Sequence, residues 1–373
     1  IGQHYIALGD LKQGEAYVGR NTVLLQEAKG WDTYEGYRRA SWNGDVERGN
    51  GNLYDARGQY REAEAAYRRA ETWWLERKGV TSLNGIALPP DQTAHATDLV
   101  VALLGRTKAR QGRMAEGESD VRRALLSRLK VTGKYNLQTA KFIGYLANLM
   151  VEQGRLAEAE KLTRTQIDIN QALGVAIDAG PSATVLSELA SILNLQGRWE
   201  EAGKAYADLD RATADWPPAR KEGIGLNTNL IHTLYATNNV KAGLAAAERL
   251  LERQKSSLGD RHLETALTRG VLAIGLAKSG RDPDAEREFK LAVSVLAGAS
   301  RETDMDDSVG NAARDQRMAL VIEAYMDLLA RKGTPEAASE SFRFADLIRG
   351  RAVQSALAAS SARAVARNPA LAE

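Results

Sequence analysis

Histidine is the residue type best suited to proton transfer and metal binding near neutral pH, and the sequence contains four. His4, His95, His232 and His262 are scattered along the chain, and none has a second histidine or a tight carboxylate cluster at helical spacing. The sequence therefore predicts no metal site. We expect His262 to be structural, and His4 and His95 to be packing or surface residues. His232 is retained as a candidate for ligand contact.

Other catalytic arrangements are not found in the sequence. With no cysteine, the chain has no thiol nucleophile, disulfide or cysteine zinc site. Acidic pairs such as Glu200 and Glu201 are typical of solvated helix faces. Gly223-Ile224-Gly225 lacks the preceding strand that a phosphate-binding loop needs, and no Ser-His-Asp arrangement emerges. The prediction is a protein that is not an enzyme and uses no cofactor.

Composition narrows the classes of partner. The chain has 373 residues, of which 44% are hydrophobic and 26% charged, which predicts a folded protein. It has no run of about 18 apolar residues, so no membrane span is predicted. A net charge of +2 gives no field that would recruit a polyanion, and nucleic acid is not a predicted partner. The compartment stays open, because a protein without cysteine suits either side of a membrane.

A repeat organises the chain. Its pattern is Gly, a bulky residue two later, a small residue five later, an aromatic or aliphatic residue nine later and Ala twelve later, as in Gly58, Tyr60, Ala63, Tyr67 and Ala70. Further copies begin at Gly112, Gly154, Gly197, Asn238, Gly280 and Gly333. This pattern predicts helical hairpins, because Gly ends one helix and the small residue lets the next approach closely. Trp199, Tyr206, Phe289 and Phe342 fall on motif positions, which predicts that they are core residues.

The motif resembles the tetratricopeptide repeat. The turns at 112, 154, 197, 238 and 280 are 42, 43, 41 and 42 residues apart, as in the long variant of that repeat. The segments Leu258–Ala266 and Thr132–Ala140 are similar to its linker. The resemblance implies an all-α fold, a right-handed superhelical solenoid of about eight hairpins over residues 1–345, the first one truncated. Segments 79–91 and 298–310 fall between repeats and are expected to be solvated connectors.

The C-terminal segment, 346–373, is predicted to be one long helix. The stretch from Ala345 to Leu357 resembles the junction between such a solenoid and a CHAT domain, a caspase-like peptidase, in bacterial proteins. The resemblance implies that the solenoid docks a partner and regulates that domain. The family's catalytic His and Cys pair cannot be assigned to any residue of this chain. The alternative interpretation of the segment is a helix that caps the solenoid.

The predicted working surface is the concave groove, lined by the first helix of each hairpin. Its candidates are the polar residues that the repeat register turns inward: Arg48, Asn52, Arg106, Lys141, Asn148, Ser191, Asn194, His232 and Tyr235. Asn can hold an extended backbone, and Arg and Lys can hold carboxylates. We therefore predict a protein or peptide partner, which includes the chain's own peptidase domain. The alternative hypothesis is a self-assembling scaffold with no peptide ligand.

Overall fold

The fold is described by a computed structural model that covers residues 1–7, 9–27, 36–78, 82–83, 86–87, 90–305 and 312–346. Nearly all of these residues are helical. The chain divides into two compact units. Unit 1 comprises Ile1–Leu149 and Lys161–Ala176, and unit 2 comprises Met150–Glu160 and Ile177–Glu373.

Unit 1 is built from helical hairpins. Its helices are α1 (Gly2–Ala7), α2 (Leu11–Glu27), α3 (Gly36–Ala56), α4 (Tyr60–Lys78), α5 (Pro90–Arg110), α6 (Met114–Thr132) and most of α7 (Leu137–Glu152) and α8 (Leu156–Ala172). Helices α1 and α2, α3 and α4, and α5 and α6 pair as hairpins. In the predicted connector before α5, the short strands β1 (Ser82–Leu83) and β2 (Ile86–Ala87) pair antiparallel, with Leu83 opposite Ile86.

Unit 2 continues the same pattern. Its helices are α9 (Gly180–Leu195), α10 (Trp199–Ala212), α11 (Pro218–Gly225), α12 (Thr228–Ala236), α13 (Val240–Leu258), α14 (Leu263–Lys278), α15 (Asp282–Met305), α16 (Ala312–Lys332) and α17 (335–346). Helix α11 is an addition that the repeat pattern does not predict. The core of unit 2 is a continuous cluster that includes Ile231, Leu267, Phe289 and Tyr325, all buried.

The turn residues take the conformation that the motif requires. The glycines at 58, 112, 154, 197, 280 and 333 all have positive φ, and Asn238 takes the same region at φ 62°. At the turns from Gly58 to Gly280 the N–H of the following residue donates to a carbonyl five residues earlier, as from Gln59 to Tyr54 at 2.9 Å. This is the Schellman ending of a helix, which needs a left-handed residue and therefore favours Gly or Asn. The predicted hairpin fold is confirmed.

Small residues set how closely the helices of a hairpin pack. In α5 and α6, a Cβ on Gly105 would lie 2.6 Å from the carbonyl oxygen of Gly117, so the two backbones are in direct contact. In α9 and α10 the same two motif positions hold Ala190 and Ala202, which are both buried. The motif therefore fixes the hairpin, and the residue at these positions fixes the distance between its helices.

Three expectations need correction. Trp199 is 43% exposed and is not a core residue. Phe342 is 70% exposed, because the last hairpin buries Ala337 and packs Phe344 against the core instead of the predicted Ala338 and Phe342. Residues 298–305 continue α15 rather than forming a connector. The predicted C-terminal helix, 346–373, lies outside the described residues apart from Asp346.

Candidate partner-binding surface

The inner row is the set of first-helix positions six residues before the turns at 58, 112, 154, 197 and 238: Asn52, Arg106, Asn148, Ser191 and His232. The residue nine after the same turn lies opposite this position. The Tyr67 hydroxyl donates to Oδ1 of Asn52 at 2.8 Å, and the Ser191 and Tyr206 hydroxyls lie 3.0 Å apart. A tyrosine at this motif position therefore forms a hydrogen bond with the inner-row side chain opposite it. Burial raises the pKa of both tyrosines, which keeps them neutral.

Arg106 has no such partner, because Val121 stands where the hairpins at Gly58 and Gly197 carry tyrosine. Its guanidinium carbon lies 5.2 Å from the ring centre of Tyr145, and the Lys141 ammonium lies 5.8 Å from the same ring. We call these three residues the cation cluster. Within the part of unit 1 that the structure describes, neither cation lies within ion-pair distance of a carboxylate. Arg110, one turn after Arg106, does pair with Asp55 at 2.6 Å.

The other predicted residues of unit 1 differ in how they are held. Arg48 donates to Gln3 at 2.9 Å and to Asp45 at 2.8 Å, beside a 270 Å³ cavity lined by Val18 and Asn21. It also lies over the Trp74 ring at 5.8 Å. The side chain of Arg48 is therefore held by contacts within unit 1. Asn148 is half-buried and lies in α7, the helix that also carries Lys141 and Tyr145.

In unit 2, Asn194 and His232 belong to one hydrogen-bond network. Thr233 Oγ1 donates to the carbonyl of Asn229 at 2.8 Å, so it must accept from Asn194 Nδ2, also at 2.8 Å. That amide nitrogen lies 3.1 Å from His232 Nδ1. Because an amide nitrogen only donates, Nδ1 is the acceptor and carries no proton. The imidazole is held neutral, with its proton on Nε2.

The surroundings of His232 favour this neutral form. Its ring lies edge-on to Trp199 with ring centres 6.2 Å apart. Burial, together with the positive charge of Lys278, lowers the pKa of His232 below its ordinary value. The charge it would gain on protonation is therefore disfavoured by the fold.

Tyr235 and Asn194 are buried rather than open to a groove. The Tyr235 ring packs against Gly243, and its hydroxyl lies where a side chain on Gly275 would be. Burial raises the pKa of Tyr235. Ser187, in the same helix as Asn194, also has a partner within the fold, since its hydroxyl donates to the carbonyl of Ile224 at 2.8 Å. In unit 2 the predicted residues mainly hold the fold.

The remaining histidines fit their predicted roles where the structure describes them. His262 caps α14, with Nδ1 accepting from the backbone N–H of Glu264 at 3.2 Å, and burial lowers its pKa. The His95 ring lies edge-on to Phe142, 6.3 Å between centres. The side chain of His4 lies outside the described residues. Across those residues, no group of three or more His, Cys, Asp or Glu side chains is placed to hold a metal ion.

Sequence reasoning missed Tyr145, on which both cations of the cluster converge. The signal was present, because Lys141 precedes it by one helical turn.

In the described residues there is no helix long and apolar enough to cross a bilayer.

Comparison with known proteins identifies the fold. No protein-family model and no curated protein matches the chain. A solved Rap protein complexed with Competence and Sporulation Factor matches 96% of this chain and 97% of its own, with TM-score 0.55 and 11% identity. A putative kinesin light chain with tetratricopeptide-like repeats from Podosopora anserina matches 54% of this chain and 95% of its own, with TM-score 0.40 and 17% identity. BtubC from P. vanneervenii matches 66% of this chain and 92% of its own, with TM-score 0.44 and 16% identity. The chain has the fold of a tetratricopeptide-type helical solenoid.

Proposed function

We propose that the chain is a protein-interaction module that holds a segment of a partner protein on the inner row of unit 1. The observation that carries this proposal is the cation cluster. Arg106 and Lys141 converge on Tyr145 without a carboxylate of their own. A cation left without a counter-charge beside an aromatic ring is suited to a carboxylate supplied by a ligand.

The partner segment is expected to carry an acidic side chain or a free carboxylate. A guanidinium donates two parallel hydrogen bonds to a carboxylate, and such charge-assisted bonds contribute about 1.5–3 kcal/mol each. Asn148, in the same helix as Lys141, can donate to and accept from the backbone of an extended segment. That a fold of this kind can hold a partner is supported by the Rap structure, which is of a complex.

The test is a capture experiment from native host lysate with the chain as bait. The double variant Arg106→Ala, Lys141→Ala removes the cations without touching the hairpin core. The matched control, Lys204→Ala, Lys241→Ala, removes two exposed lysines from second helices of unit 2. We expect a specific protein to be captured by the wild type and by the control, and to be lost with the double variant. Equal capture by all three would contradict the assignment of the inner row.

The same docking is proposed to regulate an attached CHAT peptidase domain. This part of the proposal rests on the resemblance of the stretch from Ala345 to Leu357 to the junction in such proteins. Its test uses a protein in which residues 1–373 are followed by the proposed CHAT domain, with peptide-bond cleavage measured before and after the captured partner is added. We expect the partner to change the rate, and the double variant to abolish that change. A rate indifferent to the partner would leave the docking proposal intact and remove the regulatory one.

A further inference from the structure

The second helices of unit 1 carry an exposed aliphatic row that the inner-row proposal does not use. Its members lie 14 to 17 residues after the turns at Gly9, Gly58 and Gly112, near the ends of α2, α4 and α6, and they are Val23, Leu24, Leu75, Leu126 and Leu129. Their exposures run from 36% to 57%. Position 14 is aliphatic in α2 and α6, and position 17 is aliphatic in α4 and α6, so exposed aliphatic side chains recur along the second helices of three consecutive hairpins. An exposed apolar row of this kind is typical of an interaction site.

An arginine row runs beside it. The residue eleven after each turn is Arg in all three helices, namely Arg20, Arg69 and Arg123, and in α4 and α6 the preceding residue, Arg68 or Arg122, is also Arg. In α2 and α6 the arginine lies about one helical turn, roughly 5.4 Å, before the first aliphatic residue, and in α4 Arg68 lies about two turns before Leu75 on the same side of the helix. Each helix therefore presents cations first and apolar side chains next.

In the ion pairs of this row, the guanidinium groups face the solvent and the carboxylates are more buried. Arg68 is 58% exposed and its partner Glu64 only 11%, while Arg123 is 66% exposed and its partner Asp120 14%. The carboxylates thus lie beneath the guanidinium groups. A ligand approaching from solvent meets positive charge first, although each pair is locally neutral.

The row does not extend to unit 2. Eleven, fourteen and seventeen residues after the turn at Gly197 the chain carries Asp208, Arg211 and Ala214. At the same distances after the turn at Asn238 it carries Arg249, Glu252 and Lys255. Charges of both signs replace the combination of arginine and aliphatic residues. Helix α8 ends the row inside unit 1, since it carries Thr165, Asp168 and Gln171 at these positions.

We propose that this arginine–leucine face of α2, α4 and α6 docks an amphipathic helix of a partner protein, with an apolar stripe and an acidic flank. The two parallel rows match two adjacent stripes of such a helix, the apolar stripe on the leucines and the acidic flank on the arginines. The leucines are about half covered by their neighbours, which suits packing against another protein.

The probe is a fluorescein-labelled synthetic helix with a leucine stripe and a glutamate flank, and its binding is followed by fluorescence anisotropy. We expect Leu75→Asp, Leu126→Asp to weaken binding by roughly tenfold or more. The matched control is Leu291→Asp, which alters an equally exposed leucine of α15 in unit 2 and should leave binding unchanged. Thermal unfolding checks that each variant is folded, and Leu126→Ser serves as the milder variant.

Charge reversal gives the sharper test. Arg69→Glu, Arg123→Glu should lose the glutamate-flanked helix and gain a helix in which lysine replaces glutamate. Three results would overturn the proposal: no binding of the acidic helix to the wild type, binding of phosphatidylserine vesicles that the leucine variant abolishes, or a concentration-dependent mass that the leucine variant abolishes. The second would assign the face to a lipid surface and the third to a second copy of the chain.

Discussion

The two units share the same repeat but differ in which of their side chains have partners within the fold. In unit 1 the cation cluster holds two cations without a carboxylate of their own, and the arginine–leucine face of α2, α4 and α6 is exposed to solvent. In unit 2 the corresponding positions are tied into the fold, as in the network of Asn194, Thr233 and His232. Helix α14 is buried on nearly every face. The hairpin therefore supplies the scaffold, and the side chains left without internal partners mark where binding can occur.

The largest expected difference between the units concerns their buried ion pairs. In unit 1, the fully buried Arg128 donates from Nε to Asp98 at 2.7 Å, and its two Nη groups have no partner. Asp98→Ala should therefore cost about 3–5 kcal/mol, because it leaves a buried charge uncompensated. In unit 2, Arg269 binds both Glu288 and Asp260.

Glu288→Ala leaves Arg269 with Asp260, so we expect a loss of about 1.5–3 kcal/mol. Both variants are compared with the wild type by thermal unfolding, followed by circular dichroism. An equal loss for the two would show that the second carboxylate does not protect Arg269.

The next difference concerns how closely the helices of a hairpin pack. In unit 1, a Cβ on Gly117 would overlap the carbonyl oxygen of Gly105, and a backbone atom cannot move aside. Gly117→Ala should cost about 1–3 kcal/mol through overpacking. The reciprocal change in unit 2, Ala202→Gly, should cost about 1 kcal/mol, since glycine disfavours the helix. Urea unfolding measures both, and a stabilising Gly117→Ala would show that the two backbones do not touch.

The smallest expected effect is a pH dependence confined to unit 2. Because the pKa of His232 is lowered in the folded chain, the unfolded chain binds a proton more readily than the folded one. The stability contributed by neutral His232 is complete above the ordinary pKa of 6.5 and is lost as pH falls through the folded value. His232→Gln should reduce the fall in melting temperature between about pH 7.5 and about pH 5.5.

The comparison is made in a His262→Asn background, which keeps an N-cap on α14 and removes the other histidine of unit 2 whose pKa burial lowers. If His232→Gln melted with the same pH dependence as the wild type, the network around Asn194 would not hold the imidazole neutral.

The turns and the hairpins could be read from the sequence, because both depend on local chemistry. A positive φ is open to Gly and tolerable for Asn, so Gly58, Gly197 and Asn238 mark the ends of helices wherever they occur. Register failed at the last hairpin, where adjacent alanines, Ala337 and Ala338, offer two ways to pack. The structure buries the first and exposes Phe342. Two neighbouring small residues leave the helix rotation to be decided by the core.

The candidate site was predictable as a face and unpredictable as a set of contacts. Asn52, Arg106 and Ser191 share one repeat position, but tyrosine reaches Asn52 and Ser191 while Val121 cannot reach Arg106. This difference can be read from the sequence, since Tyr67 and Tyr206 follow Asn52 and Ser191 by fifteen residues and Val121 follows Arg106 at the same spacing. The burial of Asn194 and Tyr235 cannot be read in that way.

By itself the sequence determined the repeat, the turns and the faces of each helix, because these follow from backbone conformation and helical periodicity over a few residues. The tertiary structure decided which polar side chains are engaged within the fold and which are open. It also decided that the carboxylates beneath Arg68 and Arg123 lie inward. Those outcomes depend on which helices pack together and how closely, and neighbours many residues apart in the chain set them.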